Sequence, residues 1–174
     1  MANANLGQLL VPVLRALAGE DVLVVAATGG RPPAALTAAL GGAIPANARV
    51  AEFLPYGDLL PRTAVMITNG GYGGVVQALR HGVPLVVAGR SEDKPEVAAR
   101  VAWSGAGLNL RTDQPAQARL RRAVRRVLDR PSYRAGAVRL QHQIDALGDP
   151  IAAIAADLDA VITARAAAEV RSTS

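Results

Sequence analysis

Cysteine is absent from all 174 residues, which excludes disulfides, a thiolate nucleophile and Cys-ligated zinc. Aromatics are scarce, with one Trp, one Phe and three Tyr. Lysine is scarcer: Lys94 stands alone beside 18 arginines. No apolar run approaches the roughly 18 residues that a spanning helix needs. The N-terminus, MANANLGQLLVPVL, lacks a basic region and a cleavage pattern, so the expected location is the cytoplasm. The two histidines, His81 and His142, sit in no Ser/His/Asp or metal-ligand arrangement. No pair of carboxylates stands out as an acid/base couple.

Alanine fills the space that aromatics leave. There are 36 of them, and 51% of the chain is hydrophobic. The core is therefore expected to be Ala, Val and Leu, with elements packed closely. The length suits one domain. Charge is segregated: residues 111–139 hold nine arginines and two aspartates, whereas the rest is near neutral, with a balance of −2. In 115–129, Leu120, Val124, Val127 and Leu128 form an apolar stripe flanked by arginines. With no aromatic interleaving or recognition-helix pattern, this reads as a solvated face rather than a nucleic-acid site.

Strand and helix patterns alternate along the chain. Leu6 to Leu17 has helical spacing, with Asn5 as a candidate cap and Pro12 predicting a kink or a later start. Apolar runs at 22–27, 49–54, 64–67, 84–88 and 106–110 read as strands of a parallel sheet. Helices are expected at 33–40, 57–60, from the glycines of 70–74 to about His81, and at 95–103. Beyond those, 115–129, 131–147 and 150–169 read as helical. This order predicts a Rossmann-like α/β domain, an open parallel sheet with helices on both faces. Ligands of such sheets bind at the carboxyl ends of the strands, so the loops there hold the candidate site.

Asn69-Gly70-Gly71-Tyr72-Gly73-Gly74 follows the third strand. Its glycines allow close backbone approach, and the amides opening the next helix suit a phosphate or diphosphate. It is neither a P-loop nor a GxGxxG motif, and a tight turn without a ligand is the competing reading. Gly89-Arg90-Ser91-Glu92-Asp93-Lys94-Pro95 follows the fourth strand. Asp93 there could meet sugar hydroxyls and Lys94 a phosphate or hydroxyl; alternatively Asp93 caps the helix beginning near Pro95. Phe53-Leu54-Pro55-Tyr56 ends the second strand, where an aromatic face could stack a nucleobase or simply fill the core.

From about Asn47 to Leu110 the chain resembles the donor-binding, C-terminal half of GT-B glycosyltransferases that use UDP- or dTDP-sugars on small-molecule or lipid acceptors. Phe53-Leu54-Pro55-Tyr56 stands where that family has its Trp/Phe-x-Pro-Gln turn, and Leu59-Leu60-Pro61 follows. Residues 69–74 match the His-Gly-Gly-x-Gly-Thr loop, and Ala78-Leu79-Arg80-His81-Gly82-Val83-Pro84 matches Ala-Leu-x-x-Gly-Val-Pro. Asp93-Lys94 stands for the Asp-Gln pair, with Gly105-Ala106-Gly107 beyond it.

The resemblance implies a UDP- or dTDP-sugar ligand and no cofactor or metal. It implies nucleobase contacts from Phe53, Leu54 and Tyr56, and diphosphate contacts from Asn69, Gly70, Gly71, Tyr72, Gly73 and Gly74. It places Gln77 at the ribose and Asp93 and Lys94 at the sugar. Three departures stand out: Asn69 replaces a His, Gly74 a Thr or Ser, and Lys94 a Gln. The family's first, central strand and its acceptor domain, source of the catalytic base, have no counterpart in this chain. The expectation is one donor domain, inactive alone. The alternatives are one chain of a split enzyme completed by an acceptor-domain chain, or a non-catalytic nucleotide-sugar binding module that self-associates.

Overall fold

The computed structural model describes residues 6–148 together with 154, 155, 158, 159, 161 and 162. Residues 1–141 form one compact unit and 142–174 a second, small one. In the second unit, the described residues between 154 and 162 are helical and exposed. Most of the expected 150–169 helix, and Asn5, lie outside the described residues.

The first unit alternates helix and strand in the expected order. It runs α1 (Leu10–Leu17), β1 (Val24–Ala27), α2 (Pro33–Leu40), β2 (Ala48–Ala51) and α3 (Tyr56–Leu59). A 3-10 turn at Leu60–Arg62 leads to β3 (Met66–Thr68), α4 (Tyr72–Arg80), β4 (Leu85–Val87) and α5 (Lys94–Trp103). Then come β5 (Gly107–Asn109), α6 (Gln117–Asp129) and α7 (Pro131–Ala146), the last running on into the second unit. Pro12 delays α1 rather than kinking it: the helix starts at Leu10, which leaves Pro12 in the first turn, where a missing N–H does no harm.

All strand pairs are parallel, as their helical crossovers require. β4 is the centre. Its three residues are fully buried and alternate between faces. Val86 joins Val13 and Leu17 of α1 and Leu120, Val124 and Val127 of α6 in one cluster. Leu85 and Val87 join Val75 and Ala78 of α4 and Ala98 and Val101 of α5 in another. Helices thus cover both faces. Close packing by small residues is real: a side chain on Gly136 of α7 would begin 2.5 Å from the Gly105 carbonyl oxygen.

The sheet is divided, as the lack of a counterpart to the family's central strand implies. β1 pairs with β2 alone, and β3, β4 and β5 form a separate sheet in that order. Both pieces face one core, since Val24 of β1 and Ile67 of β3 pack on the cluster around Val86. They do not hydrogen-bond because no described strand lies between β1 and β3. This is the break that a missing central strand would leave. It also leaves Leu23 and Val25 among the exposed large hydrophobics.

The stripe of α6 is Leu120, Ala123, Val124 and Val127. Leu128, expected within it, is exposed, because it falls about 80° round the helix from Leu120. Two flanking arginines have a structural task. Arg121 and Arg125 both pair with Glu20, which follows α1, and Arg121 also donates to the Ala16 carbonyl. Glu20→Gln is expected to destabilise the unit by about 0.5–1 kcal/mol in thermal unfolding, with the difference shrinking in 1 M salt.

Candidate functional site

β3 delivers the chain to a turn built by its own side chains. The Gly70 amide donates to Thr68 Oγ1 at 3.2 Å, and the Gly71 amide donates to Asn69 Oδ1 at 3.2 Å. Gly70 has φ +89°, in the region that favours glycine, and Val87 Cγ1 lies 2.8 Å from where a Cβ would stand. Asn69 therefore organises the loop through its carbonyl oxygen.

α4 then starts without a cap. Gly71 is the N-cap residue, no side chain caps the end, and no acidic residue lies in the first turn. The first amide to reach back is that of Val75, to the Gly71 carbonyl at 3.1 Å. The amides of Tyr72, Gly73 and Gly74 carry the positive end of the helix, where an anion is stabilised. No side chain crowds Gly73, with nothing within 4 Å of a Cβ built there, and only Met66 Cε lies 3.6 Å from one on Gly74.

The end of β4 crosses this turn closely. A Cβ on Gly89 would stand 1.9 Å from the Asn69 carbonyl oxygen and 3.2 Å from Lys94 Cδ. Lys94 is buried at 6% exposure and runs its stem past Gly70, its Cβ 3.6 Å from a Cβ built there. The two glycine loops therefore meet at Lys94. Its ammonium donates to Ser91 Oγ at 3.1 Å and to the Glu92 carboxylate. That hydrogen bond, with the attraction of the ammonium charge, holds the Glu92 carboxyl below the usual carboxylate range.

Asp93 is the N-cap residue of α5, but its carboxylate makes no capping hydrogen bond, and the residue is exposed. The capping reading of Asp93 is therefore corrected. No side chain caps α5, which opens with Lys94 and Pro95. Gln77 lies exposed on α4. Tyr56 opens α3 and packs on the cluster that holds Val75, at the base of α4. Leu54 is half-buried.

Phe53 does not fill the core. It is 74% exposed, and its ring lies over Gly30, with Cζ 3.0 Å from a Cβ built there. The loop after β1 holds it there: the Gly29 and Gly30 amides both donate to the Glu52 carbonyl, which clamps the end of β1 beside Phe53. The structure thus joins Lys94 to the 69–71 turn and sets Tyr56 under α4, while Phe53 belongs to the end of the β1–β2 pair.

Two groups escape the sequence reading. Thr28 is buried at 2% exposure and donates its hydroxyl to the Arg31 carbonyl, bracing the loop after β1. Glu92, the partner of Lys94, has φ +58°. The signal for Glu92 was its position two residues before the only lysine. A cavity of about 410 Å³ lies elsewhere, lined by Arg121, Arg122, Arg125, Arg126, Asp129 and Arg130 of and after α6. Among the described residues no cluster of His, Asp or Glu could hold a metal ion, and no helix is long and apolar enough to cross a membrane.

A parallel α/β domain with helices on both faces and a glycine-rich helix N-terminus at its strand ends is of the Rossmann-like class. More narrowly, the chain belongs to the family of the erythromycin biosynthesis protein CIII-like C-terminal domain, which matches residues 14–169, the C-terminal domain of GT-B glycosyltransferases. It is 54% identical over 136 residues to the 4'-demethylrebeccamycin synthase of Lentzea aerocolonigenes, covering 78% of this chain and 31% of that protein. Among solved structures it resembles the glycosyltransferase VinC in complex with dTDP, with TM-score 0.70, 34% identity, and 79% of this chain on 34% of that one. It also resembles the spinosyn rhamnosyltransferase SpnG, with TM-score 0.76, 28% identity, and 90% of this chain on 41% of that one. The chain therefore spans about a third of the length of the first relatives it matches.

Proposed function

We propose that the chain binds a nucleoside-diphosphate sugar, with UDP or dTDP as the nucleotide, and serves as the donor half of a glycosyltransferase. The observation that carries this reading is the bare N-terminus of α4 at the end of a turn against which the stem of the buried Lys94 packs. Two phosphates need several donors and positive charge, and both are concentrated at this one sheet edge. The amides of Tyr72, Gly73 and Gly74 take the diphosphate, with Asn69, Gly70 and Gly71 shaping the turn beneath them. Lys94 supplies the charge that a histidine at position 69 would otherwise bring. Tyr56, Leu54 and Phe53 border the nucleobase, Gln77 meets the ribose and Asp93 the sugar hydroxyls.

In transfer, the bond from the anomeric carbon to the β-phosphate oxygen breaks and the acceptor oxygen takes its place. Negative charge grows on the leaving diphosphate, and amides already pointing at it stabilise that charge without rearranging. The group that receives the acceptor's proton is not among the residues assigned here. We assign no metal to this step, and we place the protein in the cytoplasm.

Calorimetry with UDP and dTDP tests the reading. Saturable one-to-one binding of at least one is expected, and no heat up to millimolar nucleotide would refute it. Asp93→Ala is expected to weaken binding of the sugar nucleotide about 3- to 10-fold while leaving the free nucleotide unaffected, the size of one lost hydrogen bond.

Because the chain spans about a third of its relatives, transfer is assigned to an assembly in which an acceptor-binding domain or chain completes the cleft. The purified chain is expected to bind donor without turning it over. Turnover of donor and acceptor by this chain alone would overthrow that assignment. Nucleotide binding that no added acceptor half converts into turnover would favour a non-catalytic, self-associating module instead.

A further inference from the structure

Lys94 is, with Thr28, one of two buried polar or charged side chains among the described residues, and it carries the only lysine ammonium in the chain. A buried cation needs an anion beside it. The one it has comes from Glu92, and the arrangement is lopsided. The Lys94 side chain is 8% exposed, whereas that of Glu92 is 70% exposed. The cation is built into the fold; the anion reaches it from solvent. To reach it, Glu92 adopts φ +58°, a backbone region that residues with a Cβ enter at a cost. The hydrogen bond and charge of Lys94 hold the Glu92 carboxyl below the usual carboxylate range.

We propose that Glu92 is an internal counter-ion that the diphosphate of the donor displaces from Lys94, so that Glu92 sets the affinity of the site. This rests on the reading of the 69–74 loop as the diphosphate site. The contacts at Gly70 and Gly89 place the Lys94 stem against that loop, so an anion held there and the Glu92 carboxylate compete for one ammonium. The displaced carboxylate is exposed and regains full hydration, and the backbone of Glu92 is released from its strained region. Occupation by Glu92 keeps the ammonium paired between ligands and holds product affinity down.

Glu92→Gln, Lys94→Met and the double variant, each in the 174-residue chain, provide the test, with UDP and dTDP titrated calorimetrically. Glu92→Gln is expected to bind nucleotide about 3- to 10-fold more tightly than the parent chain, and to have no effect once Lys94 is Met. Because Lys94 is the only lysine, lysine labelled at its side chain gives a single nuclear magnetic resonance signal. That signal is expected to shift on adding nucleotide to the parent chain. The Glu92 carboxyl should then titrate closer to its ordinary range. Nucleotide binding that Glu92→Gln weakens or leaves unchanged would overturn the counter-ion role while preserving the donor site; it would make Glu92 a brace or a bystander. Absence of binding in all four proteins would overturn the donor-site reading and this proposal together.

Discussion

Gly89→Ala is expected to cost the domain at least about 3 kcal/mol, the upper end of the overpacking range, because the obstacle is backbone rather than a mobile side chain. The added Cβ would stand 1.9 Å from the Asn69 carbonyl oxygen and 3.0 Å from its carbonyl carbon. Neither can yield without moving the end of β3 away from β4. Dihedral strain is not the issue here, since Gly89 does not occupy the left-handed region. The argument is one of space. For a domain of this size the loss corresponds to a fall of roughly 6–12 °C in Tm. Thermal unfolding of Gly89→Ala beside Gly73→Ala checks it. Gly73 lies in the first turn of α4 with open space around it, so its alanine variant should keep the parent Tm. Equal Tm values for the two would sink the packing argument. Since Gly89 presses on Asn69, whose side chain shapes the glycine turn, nucleotide binding should fall with it.

Lys94→Met is expected to do the reverse, leaving stability nearly intact and weakening UDP and dTDP binding about 10- to 100-fold. The magnitude is that of one charge-assisted hydrogen bond removed from a sheltered site. Methionine keeps the apolar stem that packs against Gly70 and Gly89, and the abandoned Glu92 carboxylate is exposed, so no buried charge is orphaned. Calorimetry read together with thermal unfolding separates this result from a folding defect. A variant that loses both stability and binding would make Lys94 a structural residue. One that keeps both would remove it from the site.

Much of the architecture is legible in the residues. The apolar run Leu85-Val86-Val87, bounded by Pro84 and Gly89, announces a strand buried on both faces. The 3.6-residue spacing of Leu120, Val124 and Val127 announces α6. The glycine loop after β3 points to an anion at a helix N-terminus, and α4 starts where it should. These features are legible because each depends on neighbours within one or two turns of chain: periodicity, glycine placement and the exclusion of proline from helix interiors.

What escaped depends on contacts between distant segments. Phe53, which the sequence leaves open between stacking a nucleobase and filling the core, lies exposed over Gly30 because the Gly29 and Gly30 amides hold the Glu52 carbonyl beside it. Leu128 looks like part of the stripe, yet it lies at the stripe's edge, outside the cluster in which Leu120, Val124 and Val127 meet α1.

The sequence by itself determined that this is a parallel α/β domain with no thiol chemistry, a core of small aliphatics and a glycine-rich loop at a strand end. Those properties follow from composition and short-range pattern. The tertiary structure alone decided that the only lysine is buried where two glycine loops cross, with an exposed glutamate as its partner. Burial and ion pairing arise from elements far apart in the chain, so they exist only once those elements have packed.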